Sequence, residues 1–177
     1  MKKLFLLAII LLLNVSCSKE DTEVNFSTNI SQTSDEIIVN DTSLRLANNG
    51  DFITEFIVDL DNEDTHDYLS KLEDLNLENV RLKFQGLTGL DGNQTPTNLK
   101  ITFNNQVEIN LNNFVYDNVA NGQEFRLTET QKIKEAARLL LSNKHLSIKI
   151  EGHIPDAATY NFFITFLAKA NITAQAL

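Results

Sequence analysis

Apolar and polar side chains alternate with period two through most of the chain, which predicts a fold built from strands with one buried face. The last such segment is the longest. Tyr160, Phe162, Ile164, Phe166, Ala168, Ala170, Ile172 and Ala174 take every even position, with mainly polar residues between them. A one-residue slip would move that whole set into water, so the pairing of this strand is strongly specified. Leu146, Ile148 and Ile150 alternate with Ser147, Lys149 and Glu151, and Val80, Leu82 and Phe84 alternate with Arg81, Lys83 and Gln85. Leu99, Ile101 and Phe103, a turn at Asn104-Asn105, then Val107, Ile109 and Leu111 predict a hairpin with one apolar face. Phe52, Phe56, Val58 and Leu60 share one face of a strand while Ile53 and Ile57 occupy the other, so this strand is expected to be buried on both sides. Leu44 and Leu46 form one further short run.

Two segments follow a helical period instead. Between Thr65 and Asn76, Tyr68, Leu69, Leu72 and Leu75 fall on one helical face, with Asp64 as the N-cap. Between Thr128 and Ser142, Ile133, Ala136, Ala137, Leu140 and Leu141 form an amphipathic stripe. Thr128 and Gln131 fit a capping box, and Asn143 is placed to end that helix in the left-handed conformation. Glycine and asparagine mark the connections: Gly86 to Thr97 reads as a loop, and Asn48-Asn49-Gly50 and Asn112-Asn113 as turns. Strands outnumber helices and do not alternate with them. The expected fold is therefore mostly β: an antiparallel β-sandwich, immunoglobulin- or fibronectin-like in general architecture, with two short amphipathic α-helices.

The beginning of the chain follows neither period. Met1-Lys2-Lys3 is followed by an unbroken apolar run from Leu4 to Leu13. A membrane span needs roughly 20 apolar residues, so this run has the length of a signal-peptide core. Asn14, Val15 and Ser16 lead to Cys17, the single cysteine of the chain. A lone cysteine in this position makes an internal disulfide impossible and suits a modification site. Val15, Ser16 and Cys17 resemble the end of a bacterial lipobox, although Leu13 stands one place earlier than the family pattern has it. Cys17-Ser18-Lys19-Glu20-Asp21 in turn resembles the surface-export signal of Bacteroidota lipoproteins, a Lys followed by two acids just after the lipidated Cys. The resemblance covers residues 1 to 21. It implies cleavage before Cys17, acylation of Cys17, and an export role for Lys19, Glu20 and Asp21. The organisation expected from it is a signal peptide over 1–16, the lipidated Cys and a polar tether over 17–35, and a single domain over 36–177. Val24, Phe26 and Ile30 share one parity, so the tether can also join the domain as a first strand.

Charge narrows the partners. The net charge is −9, and without Lys2 and Lys3 the remainder carries 13 basic against 24 acidic side chains, or −11. Such a surface repels phosphate backbones and anionic headgroups, so nucleic acid is not an expected partner and membrane attachment falls to the lipid.

Catalytic chemistry has little to stand on. His66, His145 and His153 fall in separate segments, the last two at opposite ends of one expected strand, so they cannot share a metal. No nucleophile, base and orienter come together, and no cofactor motif is present. Asp59, Asp61, Glu63 and Asp64 form the densest acidic run and are the candidate ligands for calcium. Asp64 stands where an EF-hand loop has Gly and Ser70 where it has Glu, and acids also suit a helix N-terminus. The leading expectation is a non-enzymatic binding or assembly module at the outer membrane, attached to the membrane by its lipid, with a protein or glycan partner. A carrier of an apolar ligand among the ten Phe left after removal of Phe5, and a calcium-dependent adhesin, are the alternatives.

Overall fold

The structure, a computed structural model, describes residues 23–39, 50–86, 96–110, 114–119, 122–154 and 160–176. The leader, Cys17, Lys19, Glu20 and Asp21 lie outside these residues. So do the Leu44–Leu46 run, most of the 86–97 loop, and the Asn48-Asn49 and Asn112-Asn113 turns. Among the described residues the elements are ten strands, one α-helix and a 3-10 turn at His66–Tyr68: β1 (Glu23–Thr33), β2 (Ile37–Val39), β3 (Asp51–Asp59), β4 (Leu72–Gln85), β5 (Thr97–Phe103), β6 (Val107–Asn110), β7 (Phe114–Val119), β8 (Gly122–Leu127), α1 (Thr130–Asn143), β9 (His145–His153) and β10 (Tyr160–Gln175). The strands form two antiparallel sheets. One has the order β1-β10-β4-β8-β7, with β2 also paired to β10; the other has the order β3-β9-β5-β6.

The long even-parity run is β10, and it organises the larger sheet. Phe162, Ile164, Phe166, Ala168, Ala170, Ile172 and Ala174 are all buried. On one side β10 pairs with β1 and β2, on the other with β4. Within the 17–35 stretch, Glu23–Thr33 takes the strand option: Ile30 is buried on the inner face of β1, and Phe26 is partly buried there. Between β1 and β2 the register shifts. Ser34, Asp35 and Glu36 stand opposite only Phe163 and Ile164, so the edge carries one extra residue. Buried Ser34 mends the gap. Its N–H donates to the Ile164 carbonyl at 2.9 Å, and its Oγ accepts from the Ile164 N–H at 3.1 Å.

The two sheets share one core. Phe52 of β3 meets Phe162 of β10 at 5.1 Å between ring centroids and Phe84 of β4 at 6.2 Å, both edge-on. Phe103 of β5 meets Phe166 of β10 at 6.2 Å. Edge-to-face pairs of this kind add about 0.5–1.5 kcal/mol beyond their buried area. Phe52 lies over Gly152, where a Cβ would come within 2.6 Å of the ring. The β5–β6 hairpin forms as the alternation predicts. Asn104 and Asn105 take φ of +48° and +55°, and the Gln106 N–H donates to the Phe103 carbonyl at 2.9 Å.

Three expectations are corrected. First, the helix between Thr65 and Asn76 does not form: His66–Tyr68 is a single 3-10 turn with Thr65 at its N-cap, and β4 starts at Leu72. Of the apparent helical stripe, Tyr68 ends the 3-10 turn, Leu69 caps it, and only the Leu72-to-Leu75 step comes from a bulge; a second bulge follows further along β4. Leu72, then Leu75 and Leu77, then Val80, Leu82 and Phe84 all face inward. Inward parity switches where Glu73 and then Asn79 enter as extra residues opposite β10, so each i, i+3 step is a strand stepping over a bulge. Asn79 has φ of +52°, a left-handed conformation that Asn tolerates better than most residues. Second, β3 is not buried on both sides. Phe52, Val58 and Leu60 face the core, while Ile53 and Ile57 are 60% and 58% exposed. Third, the caps of α1 are each displaced. Glu129 is the N-cap, with no side-chain hydrogen bond there, instead of Thr128. Lys144, at φ +64°, takes the left-handed C-terminal position expected for Asn143 and donates its N–H to the Leu140 carbonyl at 2.8 Å. The buried stripe of α1, Ala136, Ala137 and Leu140 with Ile133 and Leu141 partly buried, is as expected, and it packs on β4, β9 and β6.

The bulge gives a direct test. Asn79→Val forces a β-branched residue into the left-handed region and is expected to lower stability by about 1–3 kcal/mol. Asn79→Gly should leave stability within about 0.5 kcal/mol of the parent, Gly being the residue most at ease at positive φ. Phe84→Ala, which removes a fully buried ring at the junction of the sheets, should cost about 3–5 kcal/mol. Urea denaturation midpoints of the three variants check these values.

Candidate functional site

The described strands leave two ends with different chemistry. At one end, the acids Asp59, Asp61, Glu63 and Asp64 lie between the close of β3 and the 3-10 turn. The Asp59 carboxylate accepts the Asp61 N–H at 2.9 Å, and Asp61 Oδ1 lies 2.7 Å from His66 Nδ1. Thr28 of β1 donates its hydroxyl to Asp64 Oδ2 at 2.7 Å. Buried Thr65 donates its own hydroxyl to the Leu60 carbonyl and accepts the Asn62 N–H at 3.2 Å. Three of the four expected calcium ligands therefore have local partners. Among the described residues no three His, Cys, Asp or Glu groups converge as a metal site. Asp64, expected as a helix N-cap, ties β1 to the turn instead.

At the other end lies an open groove of about 1070 Å³ on the outer face of the smaller sheet. β3 contributes Asp51, Ile53 and Glu55 to it, β9 contributes Glu151 and His153, β5 contributes Asn98 and Lys100, and β6 contributes Asn110. The stretch from Asp35 to Ile38, at the shifted edge of the larger sheet, also lines it. Strand pairing sets these side chains in rows across the sheet. Ile53 stands opposite Glu151, Glu151 opposite Lys100, and Lys100 opposite Asn110. Asp51 stands opposite His153 in the row above.

Part of the groove floor is neutralised by ion pairs. Lys100 Nζ lies 2.8 Å from Glu151 and 3.7 Å from Glu108, and Lys149 Nζ lies 3.1 Å from Glu151. The Lys100 hydrogen bond holds the Glu151 carboxyl below its ordinary range, and Lys149 adds to the effect. The same hydrogen bond raises Lys100. His153 Nδ1 lies 2.8 Å from Asp51 Oδ1, and Ser147 donates to Glu55 at 2.6 Å. Asp35 and Glu36 are exposed, and neither carboxylate has an ion pair among the described residues. Ile38 is 56% exposed beside them.

Asp51 and His153 form a partly exposed carboxylate–imidazole pair at one end of the groove. His145 lies at the far end of β9, and His66 lies at the acidic end of the molecule. The arrangement can bind a ligand across paired charges and two exposed isoleucines. Sequence reading recognised Ile53, Glu151 and His153 as strand residues but not as members of one site, because β3, β9 and the β5–β6 hairpin, which supply the row neighbours, lie far apart in the chain.

The pair at the acidic end has a defined pH response. The Asp61 hydrogen bond, then its charge, raises the His66 imidazole above its ordinary value. The folded state thus binds that proton more tightly than the unfolded chain. The contribution to stability is complete below the unfolded His value of about 6.5 and is lost as pH rises through the folded one. Nuclear magnetic resonance titration of the imidazole protons should place the His66 midpoint above about 6.5, and Asp61→Asn should bring it back down. A parent midpoint that Asp61→Asn leaves unmoved would contradict the pairing.

Compared with known proteins, the chain matches no family model and no curated protein.

Proposed function

We propose that the chain is an outer-membrane lipoprotein, acylated on Cys17 and exposed at the cell surface, whose domain is a non-enzymatic binding or assembly module. The reading starts from the leader, from Val15, Ser16 and Cys17, and from Lys19, Glu20 and Asp21 as an export signal. Its architecture is a β-sandwich, immunoglobulin- or fibronectin-like in its two antiparallel layers. The strand orders are β1-β10-β4-β8-β7 and β3-β9-β5-β6.

The observation that carries the reading is the polarity of the domain relative to Cys17. β1 starts at Glu23, six residues on, so the chain between spans at most about 22 Å. Glu23 pairs with Gln175, whereas the groove-lining Ile37 and Ile38 pair with Phe162 and Asn161. Along β10 that separation is roughly 40 Å at 3.3 Å per residue. A domain tethered by Cys17 holds its groove at the end away from the lipid, where a partner reaches it. Among the described residues no helix is long and apolar enough to cross a membrane, and a lipid on Cys17 gives the attachment another basis. The carrier alternative has less support, because the Phe side chains it needs as cavity walls spend their surface on one another: Phe84 meets Phe125 at 5.3 Å and Phe162 at 6.0 Å.

Mass spectrometry of the protein purified from its native membrane tests the anchor. The expected N-terminal fragment begins at Cys17 and carries acyl mass. Cys17→Ala should abolish the acyl mass and the cut before residue 17, and replacing Lys19, Glu20 and Asp21 by Ala should protect the domain from protease added to intact cells. A bare Cys17 thiol, or residues 1–16 still attached, overturns the proposal.

A further inference from the structure

We infer that the groove between the shifted β1–β2 edge and the outer face of the smaller sheet receives an extended, basic segment of a partner protein that carries an apolar side chain. This rests on the binding-module reading and names its partner. Three observations converge on that chemistry.

The first is charge. The lining holds the carboxylates of Asp35, Glu36, Asp51, Glu55 and Glu151 against Lys100 and His153. Lys100 is already held by Glu151 and Glu108, and Glu55 is bonded only to the neutral Ser147 hydroxyl, so among the described residues carboxylates without a cation partner remain on Glu55 in the groove and on Asp35 and Glu36 at its rim. A cationic segment is drawn to that rim, whereas a second copy of this acidic chain is repelled. The second is apolar exposure. Ile38 and Ile53 are 56% and 60% exposed inside the same groove, a feature that a bare metal ion or small polyamine leaves unused. A sugar ring prefers an aromatic platform, and Phe52 turns into the core. The third is size and shape. The groove is open, about 1070 Å³ in volume, and crosses the four strands of the smaller sheet, a shape that admits a length of extended chain.

The test uses the full chain, acylated, in discs of neutral lipid, and a fluorescein-labelled heptapeptide in which one Ile is flanked on each side by two Lys and a terminal Gly. Fluorescence anisotropy, corrected for empty discs, should show saturable binding that weakens as salt rises from 0.05 to 0.5 M. Asp35→Asn with Glu36→Gln should weaken it roughly tenfold, the effect of two exposed charge contacts. Ile53→Ser should weaken it a few-fold, and a probe with Ser for Ile should respond less to that variant. Glu63→Gln with Asp67→Asn removes the same charge at the opposite end and should change binding less than twofold. Equal loss in both double variants shows attraction to net charge alone and overturns the proposal, as does the absence of saturable binding at millimolar probe. Mass spectrometry of the same preparation keeps the two readings apart. Acylated Cys17 with no binding sinks the partner chemistry only, and bare Cys17 with binding intact sinks the anchor only.

Discussion

Everything in the larger sheet depends on β10 keeping its even positions inward while pairing on both edges. It is the one strand that meets β1, β2 and β4, and its buried side chains run from Phe162 to Ala174 without a break. Large rings at Phe162 and Phe166 give way to Ala168, Ala170 and Ala174 along the strand. The rings meet Phe52 and Phe103 of the facing sheet. Because β10 itself stays regular, the irregularities fall on its neighbours, which adjust to it. β4 does so with bulges at Glu73 and Asn79, and the β1–β2 edge does so with one extra residue.

That division explains which parts of the fold the sequence made legible. An uninterrupted alternation reads correctly, as it does for β10, β9 and the β5–β6 hairpin, since side-chain direction in a strand is fixed by parity alone. A bulged strand imitates a helix. Leu72 to Leu75 and Leu77 to Val80 are i, i+3 steps, and nothing in the residues themselves separates a parity switch from a helical turn. Asn79 itself is the one available hint, because Asn is among the few residues at ease with positive φ. The α1 stripe was legible because its i, i+3, i+4, i+7, i+8 spacing continues for more than two turns, longer than a single bulge imitates. Its caps shifted by one residue, within the usual latitude of helix ends.

β3 shows a different limit. Ile53 and Ile57 look like core residues by type, and a two-sided apolar strand is commonly central. β3 is instead an edge strand whose outer face no other layer covers among the described residues. Hydrophobicity reports what a side chain prefers and not whether the fold has a layer left to cover it. The exposed isoleucines are therefore informative: Asp51, Glu55 and Asp59 alternate with them on the same strand face, and such charges discourage unplanned edge pairing.

The two acidic regions differ for a reason that lies in backbone geometry. Around Asp59 to Asp64 the chain turns, and local N–H groups and the Thr28 hydroxyl take up the carboxylate oxygens. Asp35 and Glu36 sit in the extra-residue step of an edge strand. There Ser34 satisfies the Ile164 backbone group and leaves its two neighbours outside the ladder. A bulge commonly re-aims side chains in this way. The residues it frees here stand next to Ile38 and across from Ile53 on the groove wall. The same one-residue mismatch that lets β1 and β2 both follow β10 thus sets charge beside apolar surface at the end of the domain farthest from Glu23. An ideal, unshifted edge strand would align these residues with the ladder's own alternation, and the groove would lose its acidic rim.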